Sequence, residues 1–154
     1  MNSFWIYNVS FYSISLEDLQ DIVRIDNQEF DCNNFAFLWT MDDYIFYLTS
    51  KNHVITVSKT KKIIGFCISF ISQNESELYK IVVEKDYRDR KIGKIMLIYH
   101  LGFLKFKGVK TSFLEVASDN YKAIGLYKKI GYREIGLRKE YYGKIDAILM
   151  KKDL

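Results

Sequence analysis

The segment from residue 77 to residue 118 constrains the fold more than any other part of the sequence, because it alternates between two extended patterns and one helical pattern. ELYKIVVEK (77–85) and KTSFLEVAS (110–118) are rich in β-branched and apolar residues, which is typical of strands. Between them, from about Lys91 to Lys107, apolar residues recur at helical spacing: Ile92, Ile95, Met96, Tyr99, Phe103 and Phe106. A strand, a helix and a strand in this order predict a sheet with a helix packed against it.

The remaining patterns place this segment inside a longer alternation of strands and helices. Ser15 begins SLEDLQDIVRI, and Asp18 three positions later gives an approximate capping pair for a helix. The other predicted elements are strands at 4–13, 53–59 and 63–72, helices at about 34–49 and at 119–131, and two closing strands around Gly143. The order β-α-α-β-β-β-α-β-α-β-β predicts an α/β (α+β) protein with a mixed central sheet of about seven strands and helices on both faces.

Length and charge narrow the class of protein. The chain has 154 residues, so we expect one domain over residues 1–154. Its net charge of +4 is mild, and it is compatible with an anionic cofactor or a nucleic-acid-associated partner. Basic residues do not alternate with exposed aromatic ones, so no direct nucleic-acid binding is expected. No signal peptide is expected, because MNSFWIYNVSFY lacks a charged start and a continuous apolar stretch. No membrane span is expected, because the longest apolar segment, 92–106, is interrupted by Lys94 and His100.

The cysteines and histidines predict neither a metal site nor disulfides. Cys32 and Cys67 stand far apart, and His53 and His100 have no ligand spacing to them. We therefore expect no metal and a reducing, cytoplasmic compartment.

The loop YRDRKIGKIML (87–97) carries four cations at the start of the central helix: Arg88, Arg90, Lys91 and Lys94. Cations at a helix start oppose the helix macrodipole, whereas the free N–H groups there attract anions. The loop is therefore either a phosphate-binding cradle or a solvated basic helix start, and the loop alone favours neither.

The wider pattern resembles the GNAT acyl-CoA transferases. Their phosphate loop has the form Arg/Gln-x-x-Gly-x-Gly/Ala, and Arg88 and Gly93 match it while Lys91 replaces the first glycine. The later motifs "LEV…N..A..LY...GY" and "R..YY…DA..M" are similar to the ribosomal-protein-alanine N-acetyltransferases (RimI type), and the close match covers about residues 75–150. Two further departures are Ala117 in place of an arginine after Glu-Val, and FDCNNF (30–35) in place of a Pro-Trp-Ser-like segment. The second departure affects the region that shapes the acceptor site in relatives.

Glu115 is the sharpest candidate for a catalytic residue. It lies in the middle of FLEVA between apolar neighbours, and a buried carboxylate is costly unless it is paired or functional. The alternative is a solvated edge strand or a structural ion pair. The resemblance implies that Glu115 is the general base, acting through water, with a pKa tuned by its surroundings.

The helix at 119–131 carries the second candidate, Tyr127. By its position it is a core tyrosine, and Asn120 is a helix N-cap. The resemblance implies that Tyr127 protonates the leaving thiolate and that Asn120 binds the pantetheine arm. Tyr141 and Tyr142 are equally compatible with sheet packing and with lining an acceptor groove.

The resemblance also implies acetyl-CoA as the cosubstrate. The strand KIVV should separate from FLEVA, so that backbone groups of Ile81 and Val83 bind the pantetheine amides. The implied contacts are Ile81, Val82, Val83, Arg88, Asp89, Arg90, Lys91, Ile92, Gly93, Lys94, Asn120, Ala123 and Tyr127. A backbone N–H survives at Lys91, and a glycine would be required there only for positive φ or very close backbone approach.

We therefore predict acetyl transfer from acetyl-CoA to the N-terminal amine of a protein, with an alanine-starting ribosomal protein as the candidate acceptor and a monomer or homodimer as the enzyme. The first alternative is the same chemistry on a lysine side chain, a polyamine or another small amine. The second is a CoA-binding module without transferase activity. A third, weaker alternative is a basic RNA-associated domain.

Overall fold

The computed structural model describes residues 10–30 and 39–154, and within them seven strands form one mixed sheet in the order β1-β2-β3-β4-β5-β7-β6. The strands are β1 (Ser10–Ser13), β2 (His53–Lys59), β3 (Ile63–Ser72), β4 (Glu75–Val83), β5 (Thr111–Ala117), β6 (Arg133–Tyr142) and β7 (Ile145–Asp153). The helices are α1 (Leu19–Phe30), α2 (Met41–Thr49), α3 (Ile92–Phe106) and α4 (Tyr121–Ile130), and short 3-10 turns precede α1 and follow β4. The predicted order of elements is thus confirmed over the described residues.

Helices cover both faces of the sheet, as the sequence predicts. On one face, Ile22 of α1 and Tyr44 of α2 pack with Val57, Phe66 and Val82 of the sheet. On the other face, α3 and α4 pack with Cys67, Leu78, Leu114, Val116 and Met150 of the sheet. β2 and β3 contribute to both cores because successive side chains of a strand point to opposite faces.

Local capping fixes the start of the 3-10 turn that leads into α1 and the start of α2. The Asp18 carboxylate accepts hydrogen bonds from the backbone N–H and the hydroxyl of Ser15, which confirms the predicted capping pair. The helix predicted from about residue 34 begins only at Met41, and residues 39 and 40 are not helical. Thr40 is the N-cap and pairs with Asp43 in a capping box, which sets the start at Met41.

Two parts of the predictions lie outside the described residues: the first six positions of the strand at 4–13, and residues 31–38, which include Cys32. Cys67 is fully buried in the core, as expected for a strand residue. In residues 10–30 and 39–154 no helix is both long and apolar enough to span a bilayer.

Candidate active site

β4 and β5 are parallel, and they pair only over their first four residues. Glu75–Leu78 of β4 align with Thr111–Leu114 of β5, and the ladder ends there. On its other side, β4 carries an extra residue, because Ile68 of β3 pairs with Lys80 while Ser69 pairs with Leu78. Tyr79 is therefore a β-bulge, which bends a strand and increases its twist. Beyond the bulge the facing edges of β4 and β5 separate, as the family resemblance predicts.

The loop after β4 is tied back to that strand by Arg88. Its Nε donates to the carbonyl oxygen of Val83 over 3.0 Å, so part of the Arg88 side chain holds the loop against the strand end. Lys91 is the N-cap of α3 and has φ 64° and ψ 5°. Asp89 also has a positive φ, 58°. Lys91 therefore adopts the left-handed geometry that favours the glycine it replaces.

The start of α3 remains electropositive. Arg90, Lys91 and Lys94 are exposed. Asp89 forms an ion pair with Lys122 of α4 over 2.7 Å, and this contact lowers the pKa of the Asp89 carboxyl. A side chain at Gly93 would meet only Val83 Cγ2, at an ordinary 3.5 Å, so packing within the protein does not require a glycine there. Free helix N–H groups and cations together suit a phosphate group.

A cleft of about 300 Å³ opens at the paired ends of β4 and β5. Its walls come from five strands and comprise Phe70, Ser72, Glu75, Ser76, Glu77, Phe113, Leu114, Glu115, Ile135, Arg138, Leu149 and Met150. Three carboxylates and one guanidinium supply the charge of this lining, so the cleft is negative overall and suits a cationic ligand.

Glu115 reaches this cleft from the middle of β5 with 16% of its side chain exposed. Its Oε1 lies 3.0 Å from Nη1 of Arg138 on β6. The negative charge of Glu115, followed by burial and a hydrogen bond to Glu115, raises the pKa of the Tyr141 phenol. Glu115 is therefore an ion-pair partner of Arg138, and its role as a general base stays a prediction.

Glu77 is a second carboxylate in the cleft, and the sequence analysis did not single it out. Loss of hydration raises its pKa, the charge of Glu115 raises it further, and Arg138 opposes both. In the described part of the chain, the side-chain carboxylate of Glu77 forms no ion pair or hydrogen bond, although its backbone lies within the sheet. The available signal was its alternation with Leu78 in β4, but the strand pairing that brings it near Glu115 could not be read from that pattern.

Tyr127 lies on the buried face of α4 with 7% exposure, and its ring meets that of Tyr132 edge-on at 5.8 Å. Burial, with the neighbouring Cys67, Tyr132 and Tyr142, raises the pKa of its phenol. Asn120 caps α4 by accepting from the backbone N–H of Ala123 at 3.1 Å, which confirms its N-cap role.

Tyr141 and Tyr142 stand beside the cleft and are not among its lining residues. Their rings meet at 5.0 Å. Burial, then Glu115, Tyr141 and Glu77, raises the pKa of Tyr142 to about 12. The negative charges of the cleft carboxylates therefore help to raise the pKa of both phenols.

Comparison with known proteins identifies the family that uses this geometry. Residues 16–132 match the acetyltransferase (GNAT) family. The chain belongs to the GNAT acetyltransferase family. It is therefore an acetyl-CoA-dependent N-acetyltransferase, and the separated strands and basic helix start described above fit the pantetheine arm and the phosphates of acetyl-CoA.

Three similar proteins show how far the resemblance of this chain to known acetyltransferases extends. The chain is 30% identical over 119 residues to the ribosomal protein bS18-alanine N-acetyltransferase of Escherichia coli, covering 75% of this chain and 80% of that one. The crystal structure of the ribosomal-protein-S18-alanine N-acetyltransferase of Escherichia coli superposes with a TM-score of 0.82 at 26% identity, over 94% of this GNAT chain and 93% of that one. PaiA N-acetyltransferase from Thermoplasma acidophilum, solved with coenzyme A, shares the fold at 18% identity, a TM-score of 0.78 and coverage of 95% and 99%.

Proposed function

We propose that this enzyme acetylates the free N-terminal amine of a protein, with an alanine-starting ribosomal protein of the bS18 type as the first candidate acceptor. The observation that carries the proposal is the half-buried Glu115 in an acidic cleft, placed where β4 and β5 begin to separate. The similarity to the bS18-alanine N-acetyltransferase of Escherichia coli supports the choice of acceptor. Such an acceptor assigns the reaction to the cytoplasm.

Acetyl-CoA is proposed to bind along the separated edge of β4 and over the start of α3. The backbone of Ile81, Val82 and Val83 faces the gap left by β5 and can bind the pantetheine amides. The helix start offers the phosphates free N–H groups together with the charges of Arg90, Lys91 and Lys94. Arg88 and Asp89 shape the loop, Ile92 and Gly93 form the first turn of α3, and Asn120 and Ala123 approach from α4.

Glu115 and Tyr127 are proposed to handle the protons. Bound acetyl-CoA supplies a thioester whose carbonyl carbon the amine attacks directly, without a covalent enzyme intermediate. Glu115 removes a proton from the attacking amine through a water molecule, and the C–N bond forms as the C–S bond breaks. Tyr127 donates its proton to the departing sulfur, and its raised pKa keeps the phenol protonated at neutral pH.

A polycation is the second candidate acceptor, and one observation favours it. Glu75, Glu77 and Glu115 line the cleft against the single cation Arg138, which leaves negative charge to spare. A polyamine or a lysine side chain would complement this charge as well as a protein N-terminus does. Tyr141 and Tyr142 beside the cleft can contact either kind of acceptor.

The test measures thiol release from acetyl-CoA with three acceptors: an alanine-starting bS18 peptide, the same peptide blocked at its N-terminus but containing lysine, and spermidine. Turnover only with the free alanine terminus is the expected result. Turnover with the blocked peptide or with spermidine would move the acceptor to another amine while leaving the chemistry in place. Wild-type protein that binds acetyl-CoA but acetylates none of the three would overturn the proposal. The Glu115→Gln variant, assayed in parallel, separates enzymatic from spontaneous acetylation.

A further inference from the structure

A buried ion pair joins α1 to the bulged part of β4. Lys80 Nζ donates to Asp26 Oδ2 over 2.6 Å, and the same oxygen accepts from the Tyr44 hydroxyl over 2.8 Å. The side chain of Lys80 is 7% exposed and that of Asp26 is 0% exposed. The ammonium also lies 4.1 Å from the centre of the Trp39 ring, within the range of a cation–π contact.

Lys80 can reach Asp26 only because of the bulge at Tyr79. Before the bulge, Leu78 pairs with Ser69, on the face covered by α3. After it, Lys80 pairs with Ile68 and Val82 with Phe66, on the face covered by α1 and α2. In an unbroken ladder Lys80 would instead pair with Cys67, because the register would not shift.

The register without the bulge is therefore much higher in free energy for this sequence. Cys67 belongs to the apolar core that contains Met96 and Leu97 of α3. A Lys80 side chain on that face would bury its ammonium without a carboxylate partner. Asp26 would meanwhile remain buried under α1 without its cation, and a buried charge without a partner is strongly destabilising.

We propose that the Lys80–Asp26 pair is a register lock that fixes the bulge at Tyr79 and thereby positions Ile81–Val83 of β4 for acetyl-CoA. Lys80 and Asp26 are positioning residues, acting through the backbone of β4. A one-residue slip would turn every later side chain of β4 to the opposite face and move the edge that faces the gap. Buried ionic groups are best attested in this role of fixing register. The inference rests on the proposed placement of acetyl-CoA along β4.

The decisive variant is the double substitution Asp26→Asn with Lys80→Met. It removes both charges together, leaves no buried charge without a partner, and keeps an acceptor for the Tyr44 hydroxyl. The uncharged methionine side chain would be tolerated on either face of the sheet. The register of β4 against β3 would then no longer be fixed by an ion pair, while the protein remains folded. We expect the dissociation constant for acetyl-CoA to rise at least tenfold in the folded double variant. Lys80→Arg, which keeps the cation, should stay close to wild type.

Lys59→Met provides the control for losing a lysine that joins the sheet to the start of α1. Lys59 of β2 forms an ion pair with Asp18 over 3.2 Å, far from the bulge along the sheet. We expect this variant to leave acetyl-CoA binding unchanged even if its melting temperature falls. Loss of a structural contact alone would lower the melting temperature of both variants and leave acetyl-CoA binding unchanged in both.

The register itself is measured by interstrand NOEs between β3 and β4 and by amide exchange at residues 79–83. The proposal predicts that the wild type shows Ile68 opposite Lys80, and that this pairing weakens and exchange accelerates in the double variant. A double variant that keeps both the wild-type pairing at Ile68 and wild-type acetyl-CoA affinity would overturn it. These measurements need no turnover, so they remain valid if the acceptor assignment fails.

Discussion

The guanidinium of Arg138 lies 3.0 Å from the carboxylate of Glu115, and its charge also opposes the rise in the pKa of Glu77 in the same cleft. One cation thus serves two carboxylates on neighbouring strands. With Glu75 included, three carboxylates line the cleft against this one cation, so the cleft keeps a net negative charge that suits a cationic acceptor.

Glu115→Gln should lower kcat by roughly 10²-fold or more, because general-base catalysis typically contributes 10²–10⁴-fold. The KM for acetyl-CoA should change little, since Glu115 faces the acceptor cleft. Steady-state kinetics with the best acceptor measures both constants. Glu75→Gln, which removes a carboxylate from the same cleft, is the matched control and should keep kcat near wild type. An unchanged kcat in Glu115→Gln would remove Glu115 as the base.

Glu77→Gln should raise the KM for a cationic acceptor by about tenfold, equivalent to about 1.4 kcal/mol, with little change in the KM for acetyl-CoA. The reason is that Glu77 has no ion-pair partner of its own among the described residues and faces the cleft beside Glu115. Glu77→Asp keeps the charge and should recover most of the affinity. If Glu77→Gln and Glu75→Gln raise the KM for the acceptor equally, the acceptor responds to the overall negative charge of the cleft and not to a specific contact with Glu77.

Tyr127→Phe should slow acetyl transfer at least tenfold while the protein stays folded, because it removes only the proton that the sulfur would receive. Tyr132→Phe is the control: it is also buried, and its hydroxyl bonds to Ser112 Oγ at 2.7 Å. That variant should lose about 1 kcal/mol of the free energy of unfolding, the usual worth of such a bond, and keep its rate. Wild-type kinetics in Tyr127→Phe would return Tyr127 to a purely structural role.

Lys91→Gly should leave the acetyl-CoA dissociation constant within about tenfold of wild type, or roughly 1.4 kcal/mol. The substitution has two effects on two different quantities. It relieves left-handed strain of about 1–2 kcal/mol that the protein already has without ligand, which stabilises the fold, and it removes one cation from the start of α3, which weakens acetyl-CoA binding. Lys91→Ala removes the same charge but keeps the strain, so comparing the two by calorimetry separates the effects. Complete loss of binding in both would mean that the lysine charge itself holds the phosphates.

Acid should destabilise the protein partly through His100. This side chain is fully buried between Thr56 Oγ1 at 2.7 Å and Ser69 Oγ at 2.8 Å, and burial lowers its pKa from 6.5 to about 3. The unfolded chain binds a proton below its pKa of 6.5 and the folded chain does not. The stabilisation is therefore complete above about pH 6.5 and is lost as the pH falls towards 3.

The measurement is urea unfolding between about pH 7 and about pH 4 for the wild type and His100→Gln. The glutamine can still hydrogen-bond to both hydroxyls but cannot titrate. We expect the wild type to lose more free energy of unfolding across this range than the variant. Parallel pH profiles would show that His100 is not the group responsible.

Much of the architecture was predictable because its signals are local. The apolar spacing in α3 and α4, the capping pair at Ser15 and Asp18, and the β-branched strands gave the correct order of elements. Within the described residues the predicted start of α2 was wrong, because the apolar pattern continues upstream of Thr40 and the capping box of Thr40 and Asp43 sets the start at Met41. Glu115 was identifiable because burying a carboxylate in the middle of an apolar strand costs free energy unless the carboxylate is paired or functional. Its role as a base, like that of Tyr127 as an acid, remains a prediction.

The sequence by itself determined which residues alternate in β4 and that a basic loop precedes α3. Tertiary structure decided that Glu77 lies near Glu115, that Lys91 is left-handed, and that Lys80 meets Asp26, 54 positions earlier in the chain. The reason is register: alternation has a period of two, so one extra residue at Tyr79 changes which face every later side chain meets. We propose that the register is selected on both faces of the sheet, by Asp26 of α1 as the partner of Lys80 and by the apolar core under α3, which contains Cys67.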